Sequence, residues 1–406
     1  MSKLEQLINE FCPDGVEYKT LGELGKFYGG ITGKSKEDFS DGNAKFITYK
    51  NVYSNPSLEI EIEDKVKIAE NENQHILEYG DVIFTGSSET PNECGISSVL
   101  TIQTNEKLYL NSFCFIFRFD EVSIILPDFS KHLFRSHKLR YQIGKTASGV
   151  TRFNVSKKRM ASVVIPLPPL PVQEEIVRIL DTFTELTTEL TTELTMRKQQ
   201  YEYFETTLLF DSKYPRVLLK DVCTVNQGLQ IPINQRKTEK GENRYFYITV
   251  QFLKGNNEEK YYIENPNESV ICNLDDILVT RTGSTGKIIT GVHGCFHNNF
   301  FKVNCFDAIN KRYMYYFLNS QVMFRKLLNT ASGGTVPDLP HNKFYKLEIP
   351  LPPLEEQQCI VDILDRFDTL VNDIKEGLPA EIEARQKQYE YYRDKLLTFN
   401  KLDIEV

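Results

Sequence analysis

The chain repeats its own sequence. The phrase Ile-Pro-Leu-Pro-Pro-Leu that begins at Ile165 returns at Ile349, 184 residues further on. The match extends upstream, where residues 146–149 correspond to residues 330–333, and downstream into a shared pattern of Gln, Ile, Leu and Phe. A match that continues on both sides of the phrase indicates a duplicated architecture rather than a shared proline-rich tag.

The regions before each phrase are related as well, with offsets that drift along the chain. Residues 80–85 align with residues 275–280, and Asn111-Ser112-Phe113 aligns with Asn298-Asn299-Phe300. Drifting offsets are expected where a shared framework carries loops of different length. Two copies of one scaffold with different loops predict two related sites with different specificities.

Composition limits the classes of protein to consider. The 406 residues suffice for two or three domains, and 40% hydrophobic with 26% charged residues is typical of a soluble globular protein. No apolar run reaches the roughly 20 residues that cross a bilayer. The eight cysteines form no CxxC pair, which favours reduced thiols and a cytoplasmic location. A net charge of −8 argues against indiscriminate nucleic-acid binding, although much of the acid lies in two helical regions.

Each proline phrase predicts an extended connector, because proline removes an amide donor and restricts the residue before it. After each phrase, apolar residues step by three and four, the spacing of a seam on one helical face. The predicted seam of the first helix consists of Ile176, Ile179, Phe183, Leu186 and Leu190. The predicted seam of the second consists of Ile360, Ile363, Phe367, Leu370 and Ile374. We expect two continuous helices of about 35 to 40 residues that pack against each other.

The first helix contains three tandem Thr-Glu-Leu-Thr units over residues 184–195. Four residues advance a helix by about 6 Å and leave a net rotation of about 40°. A low-complexity surface stretch is the alternative explanation. The position of the repeat, in the helix that joins two duplicated regions, favours a spacer.

Small polar residues and glycine dominate the loops of both β-rich regions. Such loops let backbone amides approach phosphates, and their side chains can read base edges. Ordinary turn chemistry would explain each loop by itself. Their occurrence in both copies of the duplication favours a binding role.

Motifs of enzymes and metal sites are incomplete in this chain. The glycine-rich stretch from Gly29 to Lys34 has too few residues between its glycines for a phosphate-binding loop. His293, Cys295 and His297 alternate along a predicted strand without a fourth ligand nearby in the sequence. The Asn-Pro-Pro-aromatic motif and glycine-rich cofactor loop of an adenine methyltransferase are missing from the sequence. We therefore predict neither catalytic residues nor a metal site.

The whole chain, with its β-rich region, ASG loop, IPLPPL phrase, glutamine-containing helix and second copy, resembles the specificity subunit of type I restriction-modification enzymes. The resemblance implies an α+β fold with two globular β-rich target recognition domains separated by two long antiparallel coiled-coil helices, in an internal pseudo-twofold repeat. It places the recognition domains at residues 1–165 and 213–349. The central and distal helical spacers are then residues 166–212 and 350–406.

The same resemblance implies a function. The chain would read an asymmetric bipartite sequence in double-stranded DNA and dock two methyltransferase subunits, with restriction subunits as possible further partners. S-adenosylmethionine, ATP and Mg would be used by those partners, so no cofactor is predicted in this chain and no membrane association. The alternative is a tandem-repeat scaffold with a coiled-coil core that binds proteins and does not read DNA.

Carried over by position, the resemblance also implies a set of DNA-facing residues in each domain. Those of the first domain are Lys34, Lys50, Asn51, Thr85, Ser87, Ser88, Asn111, Ser148, Thr151 and Arg152. Those of the second domain are Arg236, Arg281, Thr282, Ser284, Lys287, Asn298, Asn299, Ser332 and Thr335. The first domain has no counterpart of Arg281, and Glu89 or Glu93 near a phosphate would be unfavourable.

Overall fold

A computed structural model describes residues 2–251, 260–333, 337–373 and 375–402. The chain forms two compact units. Unit 1 comprises Met1–Leu190 and Ile382–Val406, and unit 2 comprises Thr191–Glu381. Each unit therefore combines one β-rich region with helical residues from both copies of the repeat.

Unit 1 contains short strands and helices around a four-stranded sheet. Its strands are β1 (Glu17–Thr20), β2 (Gly25–Gly29), β3 (Ala44–Ile47), β4 (Lys65–Val66), β5 (Val82–Thr85), β6 (Ser87–Ser88), β7 (Ser97–Val99), β8 (Leu108–Leu110), β9 (Cys114–Phe119), β10 (Ala147–Ser148), β11 (Phe153–Val155) and β12 (Val164–Leu167). Its helices before the long helical segment are α1 (Lys3–Phe11), α2 (Leu21–Leu24), α3 (Tyr49–Ser54), α4 (Pro127–Leu133), α5 (His137–Thr146) and α6 (Lys157–Met160). The strand orders are β2-β9-β5-β7, β4-β3-β8, β10-β11-β6 and β1-β12.

Unit 2 repeats this plan. The long helix α7 (Leu170–Leu209) continues from unit 1 into unit 2. The strands of unit 2 are β13 (Arg216–Leu218), β14 (Cys223–Gln227), β15 (Arg244–Ile248), β16 (Tyr262–Glu264), β17 (Ile271–Cys272), β18 (Ile277–Thr280), β19 (Ile288–Ile289), β20 (Gly294–Phe296), β21 (Phe300–Cys305) and β22 (Glu348–Pro350). Its helices are α8 (Lys311–Asn319), α9 (Gln321–Thr330), α10 (His341–Phe344) and α11 (Leu354–Asn372), and α12 (Leu378–Leu396) comes after them in the chain. The strand orders are β14-β21-β18-β19, β16-β15-β20-β17 and β13-β22.

The four-stranded sheets around β9 and β21 have equivalent registers. In unit 1, Val82 on β5 lies opposite Phe117 on β9. In unit 2, Ile277 on β18 lies opposite Val303 on β21. Because a slip of one residue would turn every apolar side chain to the other face, the shared register preserves the same buried face in both copies. The predicted α+β fold with an internal repeat is confirmed.

The register corrects one equivalence that the sequence suggested. Cys114 begins β9 and Phe300 begins β21, each opposite the last residue of the neighbouring strand. These two residues therefore correspond, which pairs Asn111 with His297 rather than with Asn298. The sequence misled because two consecutive asparagines precede Phe300, and only the strand pairing fixes the alignment.

A buried glutamine fixes the start of each long helical segment. The Gln173 amide donates to the carbonyls of Ile124 and Pro168 at 3.0 and 2.7 Å, and its oxygen accepts from the Leu126 N–H at 2.8 Å. Gln357 repeats this set, donating to two carbonyls at 3.2 and 2.8 Å and accepting from a backbone N–H at 2.7 Å. Since both side chains are fully buried, these bonds satisfy groups that water cannot reach.

The proline phrases are extended, as predicted, and each pairs in a two-stranded sheet. Helix α7 has 40 residues, which confirms the predicted length. The prediction of a second continuous helix is wrong, because α11 and α12 are separate helices of 19 residues each.

The break between α11 and α12 has a local cause. Asp373 ends α11 with an extended backbone, and its carboxylate accepts from the Lys375 N–H at 2.6 Å. Gly377 then passes so close to Thr369 that a Cβ atom there would lie 2.4 Å from the carbonyl oxygen. Pro379 comes next, in the first turn of α12, where proline is tolerated. The second copy has four more residues between Leu370 and Gln388 than the first copy has in the same interval, and they fall in this region.

The predicted helical seams are partly buried. Within unit 1, Ile176 is fully buried and Phe183 stacks on Tyr392 with ring centroids 5.3 Å apart. Within unit 2, Ile360 is buried and Phe204 lies 5.4 Å from Phe367. The helix of each copy therefore contacts residues of the other copy, as predicted.

The remaining seam residues vary in burial. Ile179, Leu190 and Leu370 are half-buried, whereas Leu186 is 40% and Ile363 is 39% exposed. Ile374 lies outside the described residues. The sequence pattern omitted Leu180 and Leu364, which are fully buried, because a stripe drawn through Leu186 and Ile363 is rotated away from the true contact face.

Candidate nucleic-acid interface

The same set of loops converges in each unit. In unit 1, Asn154 on β11 lies opposite Ser87 on one side and Ser148 on the other. In unit 2, Asp338 forms isolated bridges with both Thr282 and Ser332. In both units the loop after β5 or β18 thus meets the Ala-Ser-Gly loop, which is residues 147–149 in unit 1 and residues 331–333 in unit 2. The structure thereby brings predicted site residues together that lie far apart in sequence.

The loops of unit 1 surround an open cleft of about 990 Å³, which we call the unit 1 cleft. The predicted DNA-facing residues that line it are Lys50, Ser87, Ser88, Thr151 and Arg152. Helix α3 supplies Lys50, β6 supplies the serines, and the loop between β10 and β11 supplies Thr151 and Arg152.

Arg152 is oriented by neutral groups in this cleft. Its Nη2 donates to Ser87 Oγ at 3.0 Å, and its guanidinium lies over the Phe113 ring, 5.7 Å from the centroid. Ser87 is itself held, since its carbonyl accepts from the Tyr49 hydroxyl at 2.9 Å. These contacts orient the guanidinium without neutralising its charge.

Three apolar or aromatic residues of the cleft were missed by the sequence analysis. Phe113 is 57% exposed, Val150 at the tip of its loop is 91% exposed, and Tyr53 is also exposed. Exposed aromatic and aliphatic side chains can stack on bases or contact the thymine methyl group. Sequence offered no signal for Phe113 and Tyr53, because aromatic residues in β-rich regions are usually core, and Val150 was passed over because it is an apolar residue in a polar loop.

Glu93, which we expected to be unfavourable near DNA, is held on the wall of the cleft. Its carboxylate accepts from the Thr90 hydroxyl at 2.7 Å and from the Tyr53 hydroxyl at 2.9 Å. These hydrogen bonds lower the pKa of Glu93, so it is ionised at neutral pH. A fixed carboxylate can accept a hydrogen bond from a cytosine amino group in the major groove.

Other predicted residues of the first domain support the loops. Thr85, Asn51 and Asn111 are buried. Their side chains bond to backbone groups, as when Thr85 Oγ1 accepts from the Ile96 N–H at 2.9 Å. Buried polar atoms need such partners, so these three residues stabilise the frame instead of facing a ligand. Lys34 is likewise engaged, since its ammonium donates to Glu72 at 2.5 Å and to a backbone carbonyl at 2.6 Å.

In unit 2 the central feature is an ion pair. Arg281 donates from Nε and Nη2 to the two Asp338 carboxylate oxygens at 2.7 and 3.1 Å. The Thr282 hydroxyl donates to the Asn299 side-chain oxygen at 2.9 Å. Asp338 had no sequence signal, because its contact with Arg281 joins residues 57 positions apart.

The remaining predicted residues of unit 2 differ in their surroundings. Asn298 donates to the Gln230 side chain at 3.2 Å, and the Arg236 guanidinium lies 4.9 Å from the Tyr247 ring centroid. Exposed residues on the loops are Ser284, Lys287 and Ser332. Ser284 has a φ of 67°, which holds its loop in a tight turn. Thr335 lies outside the described residues.

Sequence comparison decides what kind of protein carries these loops. The profile of the family described as type I restriction modification DNA specificity domain matches residues 13–197 and again residues 212–384. The chain belongs to this family. The specificity domain is thus present twice, and the two matches cover the two copies of the repeat.

Named relatives agree with this assignment. A protein of Haemophilus influenzae named as a type I restriction enzyme specificity subunit is 36% identical over 269 residues, covering 62% of this chain and 68% of that protein. The Escherichia coli EcoR124I/EcoR124II specificity subunit is 36% identical over 267 residues, covering 61% of this chain and 65% of that protein. The matched region spans about two thirds of each relative.

The fold of this specificity-domain protein also has a solved counterpart. A chain from a structural study of complex assembly and conformational transition of the type I restriction-modification system aligns with a TM-score of 0.62. The alignment covers 97% of this chain and 99% of that one at 18% identity. At that identity the likeness establishes the fold alone. Among the described residues, no helix combines the length and the apolar character that a membrane span requires.

Proposed function

We propose that this chain is the DNA-specificity subunit of a type I restriction-modification complex. Each unit reads one half of an asymmetric bipartite sequence in double-stranded DNA, and the helical segments set the gap between the halves. The observation that carries the proposal is the same loop junction built twice with different side chains: Arg152 and Ser87 in unit 1, Arg281 and Asp338 in unit 2.

The helical segments are the proposed docking site for partners. Leu186 and Ile363 leave apolar surface exposed on α7 and α11, in line with binding of two methyltransferase subunits and, where present, restriction subunits. The chain itself is proposed to be non-catalytic. S-adenosylmethionine, ATP and Mg would serve the partners, and a cytoplasmic complex remains our prediction.

Methylome sequencing tests this function directly. Host DNA from cells with and without this gene is compared in the presence of the methyltransferase subunits. We expect a bipartite methylated sequence that disappears when the gene is deleted. In vitro, the purified complex should bind this sequence with an affinity that falls as salt rises, because phosphate contacts release counterions. A protein-binding scaffold would leave the methylome unchanged.

A further inference from the structure

Arg281 occupies the point where three loops of unit 2 meet. Its N–H donates to the Asn299 carbonyl at 2.7 Å, and its own carbonyl accepts from the Leu339 N–H at 3.1 Å. The adjacent residue Thr282 bridges to Asp338. The backbone that carries Arg281 is therefore fixed from both sides.

The side chain of Arg281 is also fixed, on one edge. Asp338 accepts from two of its nitrogens, and Gln227 Oε1 lies 3.5 Å from Nη1. Arginine carries more N–H donors than these acceptors use. Since 36% of the side chain is exposed, the remaining donors are accessible to a ligand.

The ion pair makes Arg281 better suited to contact a base than to contact a phosphate. A guanidinium whose charge is balanced by a carboxylate attracts phosphate weakly, because phosphate binding depends on net positive charge. Its planar N–H groups still donate, and the carboxylate holds their plane in place. Guanine presents two adjacent acceptors, O6 and N7, which a fixed arginine can contact together.

We propose that Arg281 reads a guanine in the half-site bound by unit 2 and that Asp338 is the residue that positions it. The inference rests on the proposed DNA-reading function. It assigns a base to a defined side chain and confines that requirement to one half of the target.

Unit 1 cannot contain the same reader. Gly86 takes the place of Arg281, since its N–H donates to the Phe113 carbonyl at 2.7 Å and its carbonyl accepts from the Val155 N–H at 2.9 Å. A Cβ atom on Gly86 would lie 2.7 Å from the Phe113 oxygen, so no longer side chain fits there. An arginine at this position of the scaffold is therefore specific to unit 2.

The test is methylome sequencing of cells that contain the methyltransferase subunits and either the wild-type chain or a variant. Arg281→Ala should relax one G·C position of one half-site, with a roughly 10- to 100-fold loss of discrimination against other bases. Asp338→Asn should relax the same position less, because it loosens the guanidinium without removing it. The other positions should remain as in the wild type.

Lys287→Ala serves as the comparison variant, since Lys287 is an exposed cation on the same loop. It should lower methylation evenly across sites without changing the preferred base. The same even decrease in Arg281→Ala, or a relaxed A·T position, would overturn the guanine assignment. If methylation with the wild-type chain showed no sequence preference at all, the proposed function itself would be wrong.

Folding is checked by co-purification of each variant with the methyltransferase subunits. Should Arg281→Ala fail to fold, Arg281→Lys decides the matter. Lysine keeps the charge but cannot donate from a planar fork, so the same G·C position should still relax. Unchanged discrimination in a folded Arg281→Lys complex would contradict the proposal.

Discussion

The unit 1 cleft and the Arg281–Asp338 ion pair of unit 2 occupy equivalent places in the repeated β-sheet scaffold, and their side chains differ in chemistry. In unit 1 an arginine rests on a serine and a phenylalanine, whereas in unit 2 an arginine is paired with a carboxylate. The backbone hydrogen bonds beneath them are the same, at Gly86 in one unit and Arg281 in the other. Buried and backbone contacts thus preserve the scaffold, and exposed side chains are free to diverge.

If the two frames are equivalent, Gln173→Ala and Gln357→Ala should have equally large effects on stability. Each substitution leaves one buried N–H and two carbonyls without a partner, which costs about 3 kcal/mol or more in the free energy of unfolding. Denaturant unfolding of the full chain measures this. Gln199→Ala, exposed on α7, is the control and should change stability by less than about 0.5 kcal/mol. A large effect at only one of the two glutamines would refute the equivalence of the frames.

The helical segments differ between the units at one buried acid. Burial raises the pKa of Glu205 to about 7 from its ordinary 4.5, and the nearby Glu202 and Asp368 carboxylates add to the shift. Arg393 holds the corresponding position in the second copy, 188 residues further on, at the offset that also relates Tyr201 to Tyr389.

A raised carboxyl pKa means that the folded state favours the neutral acid. The contribution of Glu205 to stability is complete below pH 4.5 and is lost as the pH rises through 7. Glu205→Gln should therefore stabilise the chain at pH 8 by on the order of 2 kcal/mol and leave it unchanged at pH 4. Thermal unfolding at both pH values measures the difference. The same gain at pH 4 and pH 8 would rule out titration of Glu205 as the cause.

Arg152→Ala sharpens the comparison of the two loop sites. Because Ser87 and Phe113, which orient Arg152, carry no charge, removal of Arg152 should weaken binding of the target by about 1 to 2 kcal/mol, or roughly tenfold. DNA titration of the complex with targets altered in either half-site measures this. Ser87→Ala removes only the orienting acceptor and should cost less. An effect confined to the half-site that Arg281→Ala alters would place both arginines on the same half and break the assignment.

Deletion of one Thr-Glu-Leu-Thr unit, residues 188–191, should change neither half-site. It shortens α7 by about 6 Å and rotates the part of the chain beyond the deletion by about 40°, so the gap between the halves should change. Methylome sequencing reads the gap, and insertion of one extra unit is the matched control with the opposite shift. If the deletion and the insertion variants both kept the wild-type gap between the half-sites, α7 would not be the spacer.

The repeat made the fold predictable from sequence, and the loops remained difficult for physical reasons. The proline phrases and the two glutamines, Gln173 and Gln357, recur at the same offset. Comparison of the two copies therefore identifies the scaffold residues, which a single copy would not. The break after Asp373 was missed because the apolar periodicity was followed through it, although Gly377 and Pro379 lie inside the helix that was predicted to be continuous. In the site, the polar side chains of Thr85, Asn51 and Asn111 hydrogen-bond to backbone groups of the scaffold. Their sequence does not distinguish this role from DNA contact, and only their burial in the structure does.

Exchange of the recognition regions tests the central claim most directly. Residues 17–167 are replaced by a second copy of residues 215–351, joining at the β1–β12 and β13–β22 strand pairs, which have equivalent registers. The methylome of cells with this chimera and the methyltransferase subunits is then sequenced. Two equivalent readers predict a target in which the unit 2 half-site appears twice and the unit 1 half-site is lost. A folded complex that still methylates the asymmetric wild-type sequence would contradict the account.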